Sequence, residues 1–179
     1  ISSVGAVARV RRLAGIRKVG HAGTLDPQAE GLMIILVGKA YTRQADGFLK
    51  LDKVYEVEAT LGQTSTTGDR EGELTAVSDA EPSLTEIKKV LGTFEGDIMQ
   101  TPPIYSAIKV GGQRAYKLAR AGKDVVLEPR KVTIHQIELL DYLYPKLTFR
   151  AHVSSGTYIR SLVEDIGSVL GTGAYMSAL

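Results

Sequence analysis

The stretch 53-KVYEVEATLG-62 alternates strictly: Tyr55, Val57, Ala59 and Leu61 share one face, and Glu56, Glu58 and Thr60 share the other. Strand side chains point to opposite faces with a period of two, so this is a half-buried strand with Tyr55 on its apolar side. The same pattern returns near residues 146–153, where Leu147, Phe149, Ala151 and Val153 alternate with Thr148, Arg150 and His152, and a further strand is expected near 131–140. Between and around these strands the periodicity changes. Ser3, or Ser2 beside it, can cap a helix carrying Val4, Val7, Val10 and Ala14 and ended by Gly15. Ser83 and Glu86 form a capping box for a helix presenting Leu84, Ile87, Val90 and Leu91. A turn at Gly156 leads into a helix with Ile159, Leu162, Val163, Ile166 and Leu170 on one side. The run Leu32–Val37 reads as a buried strand ended by Gly38, and a short helix is expected within AYTRQADGFLK. The segment QTPPIYSAIKVGGQ reads as a proline-stiffened entry, a strand and a Gly-Gly turn, followed by a basic helix in RAYKLARAG. Strands and helices mix without a steady βαβ rhythm. An α+β fold is expected, with a mixed, mostly antiparallel central sheet flanked by helices and loops.

The 179 residues, 44% of them hydrophobic, suffice for one domain with a proper core. The chain has no cysteine, which excludes disulfides and thiolate metal sites and fits a reducing compartment, so a cytoplasmic protein is expected. The longest apolar run is Leu32–Val37, too short to span a bilayer, and the first 25 residues lack the continuous apolar region of a signal peptide. Net charge is only +2 but unevenly placed. Arg9, Arg11, Arg12, Arg17 and Lys18 precede the first acidic residue, and Lys109, Arg114, Lys117, Arg120 and Lys123 form a second basic stretch. Asp69, Glu71, Glu73, Asp79 and Glu81 cluster elsewhere. Two basic segments on a nearly neutral chain fit a polyanion-binding face, and equally two solvated helix faces. The start at Ile1 and the end in GAYMSAL suggest a piece of a longer chain.

The chemistry is sought in loop 20-GHAGTLDPQAEG-31. Its glycines fit neither the G-x-G-x-x-G nor the Walker spacing, so no nucleotide cofactor is expected. His21, His135 and His152 are far apart in sequence and show no metal-ligand spacing, so no metal is expected either. No G-x-S-x-G elbow occurs. Asp26 is the polar residue most conspicuously presented, on a loop stiffened by Pro27 next to an apolar run. An Asx-turn before proline would account for it as well.

RKVGHAGTLDPQAEGLMIILVGKAYTR resembles the signature of TruB-type tRNA pseudouridine synthases, a pattern close to G-H-x-G-x-L-D-P-x-A-x-G-[LMV]. KVYEVEATLGQTSTTGDREGE, QTPPIYSAIKVGGQRAYKLARAGK and SSGTYIRSLVEDIGSVLGTGAYMSAL resemble the same family in the same order, so the similarity runs over essentially the whole chain. The resemblance implies the pseudouridine-synthase fold. It also implies isomerisation of uridine to pseudouridine at position 55 of the tRNA T-loop, without cofactor or metal, by a monomer acting on tRNA. Residues 1–179 are then expected to be the catalytic domain, incomplete at both ends and without the C-terminal RNA-binding PUA domain.

Carried onto this chain, the resemblance makes Asp26 the catalytic aspartate, attacking C1′ or removing a C2′ proton. Arg160 matches the arginine that pairs with that aspartate; on its own, an exposed Arg160–Glu164 pair one helical turn apart reads as well. Tyr55 matches the tyrosine that stacks on the uracil and is a candidate for C5 deprotonation, although an ordinary core tyrosine fits its position. Tyr158 and Leu179 match residues lining the same pocket, His21 one that helps displace the target nucleotide, and Asp69 an acidic residue near the site. Lys109, Arg114, Lys117 and Arg120 flank an insert around residues 100–130 expected to grip the T-loop. Glu30 departs from the family's small residue or threonine. Two other functions share these residues: a guide-RNA-dependent relative acting on ribosomal RNA, and a non-catalytic tRNA-binding or tRNA-folding protein.

Overall fold

In the computed structural model, which describes residues 1–179, contacts separate two units: residues 1–52 together with Leu179, and residues 53–178. The first unit begins with helix α1 (Ser3–Ala14). Its cap is Ser2 rather than Ser3: Ser2 has an extended backbone and its side chain accepts the Gly5 N–H at 3.1 Å. Ser3 lies inside the helix and is buried. Strand β1 (Val19–His21) pairs antiparallel with β2 (Ile35–Val37), in register Val19↔Val37 and His21↔Ile35. The strand expected over 32–37 is thus half as long, because β1 offers partners only to residues 35–37 before the chain diverges into the loop. Leu32 is 90% exposed. Two short helices, α2 (Lys39–Thr42) and α3 (Ala45–Leu49), replace the single one expected.

The second unit is built on a five-stranded sheet. Its elements are β3 (Lys53–Leu61), β4 (Gln63–Ser65), β5 (Leu74–Ala76), α4 (Leu84–Thr93), β6 (Gly96–Gln100), β7 (Lys109–Val110), β8 (Gln113–Arg114), α5 (Ala115–Arg120), β9 (Arg130–Leu143), β10 (Lys146–Val153), α6 (Ile159–Leu170) and β11 (Ala174–Ala178). The order is β11-β3-β10-β9-β6, and every neighbouring pair is antiparallel. Alternation along β3 and β10 sorts the faces as the sequence requires. Val57, Ala59 and Leu61 are buried with Leu147, Phe149, Ala151 and Val153. Helices α4 and α6 cover that face through Ile87, Leu91, Leu162, Val163 and Ile166, each essentially inaccessible to water. A fully buried side chain of this kind contributes roughly 1.5–3 kcal/mol.

The outer face carries ion pairs. Arg150 reaches Glu56 at 2.6 Å and Glu138 at 2.9 Å, and Lys146 reaches Glu58 at 2.6 Å. The Lys146 hydrogen bond, with help from Ser177, holds the Glu58 carboxyl below its ordinary value. A register shift between His152 and Val153 leaves His135 as an extra residue on β9. The bulge brings together two histidines that lie far apart in sequence: the His135 and His152 rings stand 4.7 Å apart, centre to centre.

Ser83 and Glu86 form the expected capping box on α4. The strand expected before the Gly-Gly turn shrinks to two residues, β7, which pairs with β8 across Gly111 and Gly112 at φ 56° and 82°. Two successive left-handed residues are what a tight hairpin of this hand needs, and glycine adopts them without strain. No helix is long and apolar enough to cross a membrane.

Candidate active site

In the first unit, the β1–β2 pair closes the loop that carries Asp26. The Ala22 N–H donates to the Ile34 carbonyl at 3.0 Å, and the Gly38 N–H to the Lys18 carbonyl at 2.7 Å. Inside the loop, the Ala29 N–H donates to the Asp26 carbonyl at 2.9 Å, making a turn of Asp26-Pro27-Gln28-Ala29. Proline at the second position of such a turn fixes the φ it needs. On the other side, Leu25 is held by Ser3: the Leu25 N–H donates to Ser3 Oγ at 3.2 Å, and Ser3 Oγ lies 3.4 Å from the Leu25 carbonyl. Asp26, half-buried, therefore stands between two backbone anchors.

His21 lies at the loop's entry. Its Nδ1 is 2.6 Å from the Gly23 carbonyl, and a carbonyl only accepts, so Nδ1 carries a proton. At the loop's exit the Glu30 N–H donates to the Leu179 carbonyl at 2.8 Å. The Glu30 side chain is exposed, so the position works through its main chain, which tolerates a departure in side-chain type.

In the second unit, Arg160 sits in the first turn of α6 and is only 7% exposed. Its Nη1 donates to the Thr67 carbonyl and its Nη2 to the Tyr105 carbonyl, each at 2.9 Å, and Nη1 lies 3.5 Å from Asp69 Oδ2. The reading of Arg160 as an exposed cation in a surface helix pair therefore fails. Asp69 is not a solvating loop residue either. It is 5% exposed, and its Oδ1 accepts from Thr67 Oγ1 at 2.6 Å and from the Glu71 N–H at 3.0 Å. A buried carboxylate held by two such donors fixes the guanidinium facing it.

Gly68, at φ 73°, lets the loop close on α6. A Cβ there would stand 2.9 Å from Glu164 Oε1 and 3.3 Å from Arg160 Cβ. Burial pushes the Glu164 carboxyl above its ordinary value; Asp165 adds to this, Arg160 opposes it, and Asp69 again adds to it. Burial raises Asp165 as well. A cavity of about 270 Å³, lined by Thr67, Thr101, Pro102, Tyr105, Ser161 and Glu164 among others, opens along these first turns of α6. Tyr158, half-buried, occupies the N-cap position of α6. Tyr55 faces Ala151 in register on β10 and is half-buried near the start of β3.

The four cations of the insert are all exposed. Lys109 and Arg114 stand opposite one another in the β7–β8 pair, where like charges repel. The Arg114 guanidinium donates to the Ala107 carbonyl at 2.9 Å, and Arg120 lies 5.8 Å over the Tyr116 ring. Lys117 and Arg120 occupy the last turn of α5, where the helix dipole favours positive charge.

The N-terminal domain model of the TruB family pseudouridylate synthases matches residues 11–159, which take in Asp26, Tyr55, Asp69 and Tyr158. The chain belongs to the TruB family of pseudouridylate synthases. Among curated relatives, the tRNA pseudouridine synthase B of Protochlamydia amoebophila is 47% identical over 99% of this chain and 68% of its own length. The protein of the same name in Pseudomonas aeruginosa is 46% identical over the whole chain and 59% of its own length. The chain thus spans about six-tenths to two-thirds of the curated relatives it matches. Among solved structures, a Cbf5–Nop10–Gar1 complex contains a chain 30% identical, with a TM-score of 0.75, covering 99% of this chain and 44% of that one. An H/ACA ribonucleoprotein bound to a substrate RNA containing 2′-deoxyuridine gives a TM-score of 0.71 at 27% identity. The sequence singles out Asp26, Tyr55, Asp69, Tyr158, Arg160, His21 and Leu179 as candidates. It misses Ser3 as the anchor of Leu25, and the Thr67 and Tyr105 carbonyls as holders of Arg160.

Proposed function

We propose that this protein is a cytoplasmic enzyme that isomerises uridine to pseudouridine at position 55 in the T-loop of tRNA. The observation that carries the proposal is the 47% identity over 99% of the chain with a relative named tRNA pseudouridine synthase B, together with the intact Asp26, Tyr55 and Arg160. The lower identity to Cbf5, 30%, favours a tRNA substrate over a guided ribosomal one.

The reaction needs one anionic group at the sugar. The Asp26 carboxylate either attacks C1′, so that the C1′–N1 bond breaks and uracil leaves with the electron pair, or removes a C2′ proton to give a glycal. After the detached base turns, C5 bonds to C1′, the carboxylate is released or the C2′ proton returned, and the C5 proton is lost while N1 gains one. Substrate and product are isomers, so no oxidant or reductant enters. Tyr55 stacks on the uracil and takes the C5 proton. Tyr158 and Leu179 line the base's pocket, and His21 helps the flipped nucleotide leave its stack, at a cost of a few kcal/mol that stacking on aromatic rings offsets. Arg160 pairs with the Asp26 carboxylate and fixes its rotamer; a double-mutant cycle of Asp26→Asn and Arg160→Lys in denaturant unfolding measures that coupling. Exposed Lys109, Arg114, Lys117 and Arg120 meet the phosphates, which relieves the repulsion of the first two across β7–β8.

Incubation with an unmodified tRNA transcript, followed by carbodiimide labelling and primer extension, tests the proposal. A stop at position 55 without any guide RNA is expected. Pseudouridine formed only when a guide RNA is added would replace the tRNA reading with the guided one.

A further inference from the structure

Gln100 ends β6 with its side chain 2% exposed, out of reach of bulk water. A buried carboxamide is costly unless both ends are bonded, and here both are. Nε2 donates to the Tyr158 carbonyl at 3.1 Å, and Oε1 accepts the Tyr158 N–H at 2.7 Å. One planar amide thus engages both backbone groups of a single residue, as a neighbouring strand would.

That residue begins α6. Tyr158 is extended, with φ −101° and ψ 112°, and its side chain makes no capping hydrogen bond. The entry of α6 therefore takes its direction from the sheet rather than from a local cap. Just beyond both residues, Ser161 Oγ donates to the Thr101 carbonyl at 2.8 Å. Arg160 lies between the two anchored positions, and its Nη2 reaches the Tyr105 carbonyl in the same exit segment. The guanidinium is held at its tip by Tyr105, Thr67 and Asp69 and at its root by Gln100, acting through Tyr158.

We propose that Gln100 is a positioning residue: its carboxamide, clamped on Tyr158, sets the direction in which Arg160 leaves α6. This rests on the reading of Arg160 as part of the pseudouridine-forming site, but the clamp is testable without turnover. Gln100→Leu keeps the volume and removes both hydrogen bonds. Gln100→Glu is a reversible version: the neutral acid has a carbonyl to accept and an O–H to donate, and the ionised acid has no donor for the Tyr158 carbonyl. Arg130, opposite Gln100 in register on β9, and Arg160 are cations that such a glutamate would feel, so the titration is followed rather than assumed.

The measurement is the 15N NMR signature of the Arg160 side chain at pH 6, assigned with Arg160→Lys, alongside kcat and KM on tRNA. Wild type is expected to show the resolved, slowly rotating guanidinium signals of a side chain held at both nitrogens. In Gln100→Leu these signals collapse while the β3 and β10 amides stay in place. Misplacement of this kind lowers kcat about tenfold to a hundredfold, with KM changed less than about twofold. In Gln100→Glu, kcat relative to wild type rises toward acid pH as the acid regains its proton. Arg160 signals and kcat unchanged in Gln100→Leu overturn the proposal. If Gln100→Leu does not fold, a Gln100→Glu protein with wild-type kcat and Arg160 signals at every pH overturns it equally. A wild-type protein without turnover defeats the functional reading alone, and the Arg160 signals then decide the clamp by themselves.

Discussion

Arg160 and Arg120 carry the same guanidinium, and the molecule treats the two in opposite ways. Arg160 is taken out of water, given two carbonyls and faced with a buried carboxylate. Arg120 stays in water at the end of α5 with a tyrosine ring 5.8 Å away. A buried, well-partnered cation is fixed in place and costly to disturb. An exposed cation contributes little to stability but acts at a distance on a polyanion. Burial, not residue type, separates a charge held in place from one left in water.

The comparison breaks most sharply at Arg160 itself. Arg160→Met leaves Asp69 buried without its cation and is expected to destabilise the protein by about 3 kcal/mol, the low end for a broken buried pair, because Asp69 keeps Thr67 and Glu71. The same change at Arg120 is expected to stay within about 0.5 kcal/mol, and denaturant unfolding of both variants reads the contrast. Asp69→Asn comes next. It preserves an acceptor for Thr67 but removes the charge facing Arg160, for a loss of about 1–2 kcal/mol in the same assay.

These contrasts are only partly legible in the sequence. Strict alternation makes β3 and β10 readable, and the Ser83–Glu86 box makes α4 readable, because each signal is local. β1, β6 and β11 are short, and they exist because of partners: β1 pairs with residues 35–37, and β11 pairs with β3 more than a hundred residues earlier. Leu32–Val37 looks like one strand because an apolar run does not say where its partner ends. Asp69 sits in GQTSTTGDREGE, whose composition is that of a solvated loop. Its burial comes from Thr67 and from Arg160, 91 residues away. Gln100 has no local signal at all, since its partner lies 58 residues on. Asp26 is conspicuous by its loop, and the matching blocks, not the physics, raise it above an ordinary Asx-turn.

On the exposed side, reversing Lys117 and Arg120 to glutamate is expected to leave unfolding in place. It should weaken tRNA binding and reduce the salt slope of log K by about 0.7–0.9 for each phosphate no longer neutralised. Equal affinity and slope in filter-binding titrations would remove the insert from the RNA interface. The smallest effect is at Glu164. Burial raises its carboxyl in the folded protein, so its cost to stability is absent in acid and grows as pH rises through the unfolded value. Glu164→Gln should therefore be slightly more stable than wild type at neutral pH. The two melting curves should merge below about pH 4, where the carboxyl is protonated folded or unfolded.

The most direct test is Asp26→Asn, assayed for pseudouridine at position 55 and, in parallel, for tRNA affinity. Asparagine keeps the shape of the turn between the Leu25 and Ala29 anchors but carries no charge to attack C1′ or take a C2′ proton. Pseudouridine formation should vanish while tRNA binding stays close to wild type. Undiminished turnover in this variant would contradict the assignment of the chemistry to Asp26.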